Sequence, residues 1–145
     1  MFARVTRSMA ERWEASVEQV EAAAFEHLDR AVGPLGRGHL QQAVHHGHMV
    51  RALGEPGGWA SSVILSGEEN VRRIFGSHDQ IFTAPARNML LSFDFRVPPT
   101  AIVEITVGFE GMDPHPLLLD PFALVDGELR WEGLTVVPAE DDADL

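Results

Sequence analysis

The chain has 145 residues, 45% of them hydrophobic, and a formal net charge of −11. A domain takes about 100–200 residues, and at this length it buries roughly two-thirds of the surface its unfolded chain exposes, so a full core forms without staples and a disordered chain or disulfide mini-protein is excluded. Cys, Lys and Tyr are absent and every basic residue is Arg, which removes thiolate ligands and nucleophiles, lysine Schiff bases and the P-loop lysine.

Val5, Met9, Trp13, Val17, Val20, Ala24, Leu28 and Val32 recur at steps of three and four, one stripe of an α-helix. Gly33-Pro34 supplies a stop, since glycine takes the left-handed cap and proline cannot continue the ladder. About 28 helical residues span roughly 40 Å, more than the ~30–35 Å width of a compact domain this size, so the helix either overhangs the domain, packs on a second chain, or is kinked or shorter than the stripe. After a short loop, Leu40, Ala43, Val44, Gly47 and Val50 predict a second helix over 39–53, ended by Gly54, and together an antiparallel two-helix hairpin.

From Gly57 the character changes. Residues 59–65 (WASSVIL) read as a strand. Ser66 with Glu69 has capping-box spacing for a short helix through Ile74 and Phe75. Residues 80–84 and 88–95 read as strands joined by a turn at Pro85-Ala86-Arg87. Ala101, Val103, Ile105, Val107 and Phe109 alternate with more polar neighbours and favour a strand, although Ile102, Ile105, Phe109 and Met112 also fit one helix face, with Pro99 at its start and Gly111 at its end. Residues 122–125 and 128–131 flank Asp126-Gly127, the strongest hairpin signal in the chain.

The predicted architecture is therefore α+β: a two-helix hairpin packed on an antiparallel sheet of about four to five strands with one short helix. One domain is expected over 1–138, helical over 1–54 and sheet over 57–138, followed by a disordered acidic tail over 139–145. Trp59, Ile64, Phe93, Phe95, Ile105 and Phe122 are the expected core, with Trp13, Val17 and Leu28 packing the helices onto it.

Charge is uneven: residues 1–60 carry a net −1 and residues 61–145 a net −10. A nucleic-acid site needs a basic stripe, and this balance argues against one; it suits a basic partner or plain solubility. No apolar stretch approaches the ~20 residues that cross a bilayer, and Glu11 and Glu14 precede any secretory-type apolar run. A cytoplasmic location is expected. The absence of Cys fits a reducing compartment, and the Ala-, Gly-, Arg- and Pro-rich composition suggests a GC-rich bacterial genome.

Among candidate sites, four of the seven histidines lie at His39, His45, His46 and His48. On the expected helix, His45 and His48 share one side and His46 points elsewhere. Zinc needs three or four ligands, so the pair would recruit His78, Asp79, His115 or a residue of a second copy to hold a divalent metal. Ser77-His78-Asp79 spells a triad, but adjacent side chains do not converge as a triad must. The glycine-rich run from Gly33 to Gly38 follows a helix rather than a strand and reads as a linker, with Arg37 available to an anion. Arg87 and Asn88 at a hairpin tip suit either a turn or a grip on a carboxylate or phosphate.

No spaced catalytic motif is present. The sequence points to a non-catalytic interaction module without a cofactor, built on Met9, Trp13, Val17 and Val20 of the first helix and paired with a second copy or another, basic, protein. The alternative is a His-dependent metalloprotein, metal-binding or hydrolytic, using the cluster at 39–48.

Overall fold

The computed structural model describes residues 6–55, 57–112 and 121–131. Its elements, in chain order, are α1 (Arg7–Arg12), α2 (Val17–Val32), β1 (Gln41–His45), β2 (His48–Gly54), α3 (Glu68–Phe75), β3 (Gln80–Ala86), β4 (Met89–Asp94), α4 (Pro99–Glu110), β5 (Phe122–Val125) and β6 (Glu128–Trp131), with 3-10 segments at Arg37–His39 and Ala60–Ser66. The fold is α+β. Six strands form one antiparallel sheet in the order β1-β2-β4-β3-β5-β6, rather than the four or five expected.

Strand parity sorts the apolar residues onto two faces. On one, Leu53, Phe82, Ala84, Leu90 and Leu124 pack with Ala60, Val63, Ile64, Val71, Ile74, Phe75 and Val32, so α3, the second 3-10 segment and the last turns of α2 cover it. On the other, Val50, Ile81, Leu91, Phe93 and Ala123 pack with Val97, Ile102 and Ile105 under α4. The sheet is thus sandwiched, and its two central strands are buried on both faces. Burial of each large apolar side chain stabilises the fold by ~1.5–3 kcal/mol relative to exposure.

Several expectations are corrected, and the kinked or shorter alternative for the first helix is the one that holds. The single long helix is two: Glu14 takes φ 55°, and Ser16 starts α2 with a full capping box, its Oγ accepting from the Gln19 N–H at 3.1 Å while Gln19 Oε1 accepts from the Ser16 N–H at 2.8 Å. Ser-x-x-Gln is a helix-start signal, and it interrupts the stripe.

The second predicted helix, and with it the helical hairpin over 1–54, is replaced by the β1–β2 hairpin. His46 (φ 51°) and Gly47 (φ 79°) make its two-residue turn, both in the left-handed region that a type I′ turn requires. Val50 then pairs with Phe93 and Leu53 with Leu90 on β4, a long-range ladder that helical periodicity cannot reveal.

Residues 101–109 lie in α4, not in a strand. Pro99 occupies the start of this helix and Gly111 its end, and Ile102 and Ile105 cover the second apolar sheet face. Residues 59–65 form the turn into and most of the second 3-10 segment, with Ala60, Val63 and Ile64 buried. Ser66 does not cap α3; Gly67 stands at that position with no side-chain cap, and Ser66 Oγ donates to the Val63 carbonyl at 2.6 Å.

The β3–β4 pair forms, but its turn is Arg87-Asn88 rather than Pro85-Ala86-Arg87, because Pro85 and Ala86 extend β3; Asp126-Gly127 joins β5 to β6 as expected. Of the expected core, Ile64, Phe93 and Ile105 are buried, Trp59 and Phe122 are partly buried against it, and Phe95 is exposed. Leu28 packs on the body, whereas Trp13 and Val17 face solvent. The acidic tail over 139–145 lies outside the described residues.

Candidate functional site

The sequence-predicted interface residues sit on a helical arm. Among the described residues the second half of α2 meets the body: Leu28 and Val32 join the cluster that includes Trp59, and Ala24, Phe25 and Ala31 line a groove with Trp59, Ser62 and Leu65. Trp13, Val17 and Phe25 are 54%, 63% and 47% exposed, and Met9 and Val20 are partly buried. An open groove between α1 and α2 is lined by Ala15, Val17 and Val20, with Arg7, Glu11 and Glu21 around them.

The histidines are distributed differently from the expectation. His45 and His48 do share a side, as directly opposed residues of the β1–β2 ladder. The His45 ring packs edge-on against Phe109 of α4, centroids 5.2 Å apart. His46, at the turn, places Nδ1 3.9 Å from a Glu104 carboxylate oxygen. His39 accepts the Gly36 N–H at 3.1 Å. His78 does not join the pair: it contacts Arg51, whose side chain lies on the opposite sheet face by strand parity. Asp79 is turned away to accept the Asp126 N–H at 3.0 Å. Among the described residues no group of three or more His, Asp or Glu side chains is placed to hold a metal ion; His115 lies outside them.

Arg87 and Asn88 are exposed at the β3–β4 turn. Their carbonyls accept the Ser61 N–H at 3.0 Å and the Glu55 N–H at 2.9 Å, so this turn holds the start of the 3-10 segment and the end of the β2 connection.

A basic cleft was not anticipated as a unit. Arg37, Leu40, Gln42, Arg51, Phe75 and His78 line a cavity of about 170 Å³. Its walls come from separate parts of the chain, two of them held by side-chain hydrogen bonds. Arg73 donates to the Leu35 carbonyl at 2.9 Å and the Val32 carbonyl at 3.0 Å, tying down the loop that delivers Arg37. Gln80 is fully buried; its Nε2 donates to the Gly76 and His78 carbonyls at 2.9 and 3.1 Å, and its Oε1 accepts the Ser92 hydroxyl. The loop carrying His78 is thereby clamped to the sheet.

No protein-family model matches the chain, and comparison with curated proteins and with solved structures finds no significant match. The geometry alone carries the functional reading.

Proposed function

We propose that the protein is a non-catalytic interaction module that pairs with a second copy of itself through α1 and the first half of α2. The observation that carries this reading is the arm's apolar surface: Trp13 and Val17 are each more than half exposed, and among the described residues it is the second half of α2 that packs towards the body. Contiguous exposed apolar surface marks interaction sites, and Trp is enriched among binding hot spots.

Charge favours a second copy as occupant. α1 carries Arg7 and Arg12 against one acid, Glu11, whereas the first half of α2 carries Glu18 and Glu21 and no basic residue. A two-fold interface is self-complementary, so an antiparallel arrangement sets the basic α1 of each copy against the acidic α2 of the other. The acidic stretch over 61–145 is left to solvent or to a basic partner. A cytoplasmic setting is part of this reading, supported by the lack of cysteine; among the described residues no helix is long and apolar enough to cross a membrane.

Sedimentation equilibrium on the wild type and on Trp13→Asp and Val17→Asp tests it. The expected result is a wild-type dimer at micromolar concentration and monomeric variants with the wild-type urea midpoint. A monomeric wild type, or variants that remain dimeric, overturns the proposal.

A further inference from the structure

Independently of the arm, we infer that the cleft between β2, the loop after α3 and the 3-10 segment at Arg37–His39 is a binding site for a phosphate group.

Three nitrogen-bearing cationic or donor side chains converge there. An Arg51 Nη1 lies 3.1 Å from His78 Nε2. A guanidinium donates and cannot accept, so Nε2 is the acceptor and the ring proton sits on Nδ1. That Nδ1 lies 3.1 Å from the position a Cβ would take on Gly76, and Arg37 Nη2 lies 3.2 Å from the same position. Both nitrogens therefore stand close beside Gly76, where a side chain would crowd them, and at φ 95° Gly76 occupies a backbone region that other residues rarely adopt. Gln42 adds an amide to the wall.

What is absent from the neighbourhood is equally specific. The chain carries 22 acids against 11 arginines, yet among the described residues neither Arg37 nor Arg51 has a carboxylate within ion-pair distance; the ion pairs found involve Arg30, His46, Arg96 and Arg130. Two guanidiniums on one cavity with no counter-charge among the described residues leave a positive spot there. A bound oxyanion neutralises that charge, and arginine's planar fork matches its oxygens.

Size and charge select the ligand class. At about 170 Å³ the cavity is well below the roughly 300–1,000 Å³ of drug-sized or cofactor pockets, so it takes a group rather than a whole nucleotide. Two guanidiniums and an imidazole suit a dianion better than a monoanionic carboxylate. Leu40 and Phe75 form an apolar wall against which the organic part of a phosphate monoester can rest.

NMR titration at constant ionic strength, following the His78 ring signals and the Gly76 amide, tests this with three probes: inorganic phosphate, phenyl phosphate and acetate. Saturable shifts with both phosphates are expected, weakened at least 10-fold in Arg37→Gln/Arg51→Gln, whose remaining spectrum reports whether it is folded. Arg51→Lys, which keeps the charge but not the fork, provides a second variant and is expected to bind several-fold more weakly than wild type. Tighter binding of phenyl phosphate assigns the site to organic monoesters and equal binding to the free ion; either result supports a phosphate site. No saturable shift, acetate binding as tight as phosphate, or unaltered binding in the folded double variant overturns the inference.

Discussion

The Thr83 hydroxyl on β3 lies 2.9 Å from the Thr106 hydroxyl on α4, a polar bridge set within the otherwise apolar layer between sheet and helix. Thr83 is buried, at 4% exposure, whereas Thr106 is half-buried. The two are therefore unequal partners: Thr106 reaches solvent when its mate is lost and Thr83 does not.

Thr106→Val is accordingly expected to cost ~1–2 kcal/mol, because it strands a buried hydroxyl, and Thr83→Val less. The double variant should recover part of the loss, with a coupling of at least ~0.5 kcal/mol in a double-mutant cycle. Urea melts of the four proteins measure it, and strictly additive losses would refute the bridge.

Gln80 holds three groups at once: the Gly76 and His78 carbonyls and the Ser92 hydroxyl. Gln80→Leu should destabilise by ~1–3 kcal/mol through the partners left unsatisfied. It should also speed amide hydrogen exchange over residues 76–79 more than over β1. Uniform exchange changes across the sheet would show that the side chain does not clamp this loop.

Glu14 separates two descriptions of the N-terminal arm. At φ 55° it pays a steric penalty that glycine avoids, so Glu14→Gly is expected to leave helix content unchanged or slightly raised. In one continuous helix the same change would cost ~1 kcal/mol and lower helicity. Ser16→Ala, which removes the cap of α2, should lower helicity by a loss worth ~1 kcal/mol. Far-UV circular dichroism of both variants distinguishes the cases by sign.

The β1–β2 turn depends on Gly47 at φ 79°. Nothing lies within 4 Å of the position a Cβ would occupy, so the cost of Gly47→Ala is conformational alone, about 1 kcal/mol. The denaturation midpoint should fall with an unchanged slope. A helical segment over 39–53 would instead be stabilised by the same substitution, which makes the sign decisive.

Local chemistry made part of the fold legible. Asp126-Gly127 specified its hairpin, the apolar runs around Arg87-Asn88 specified β3 and β4, and Ile74 and Phe75 fell in the expected short helix, because turn residues and short patterned segments act through their immediate neighbours. His46-Gly47 and Ser16-x-x-Gln19 carried equally local signals. There the apolar periodicity of 39–53 and 5–32 pointed to uninterrupted helices, and left-handed backbone at His46 and Glu14 prevailed over it.

Tertiary structure alone decided the rest. Whether 101–109 became strand or helix depended on the sheet face formed by Val50, Ile81, Leu91, Phe93 and Ala123, which Ile102 and Ile105 cover; the amino-acid pattern satisfied both states, and only burial against distant residues separates them. The same holds for the basic cleft. Arg37, Arg51 and His78 share no spacing that marks a site, and they meet because β2 pairs with β4 and the Gly76–His78 loop is anchored by Gln80. Composition limits which side chains are available; long-range pairing, which loop-closure entropy opposes and burial repays, determines which of them stand together.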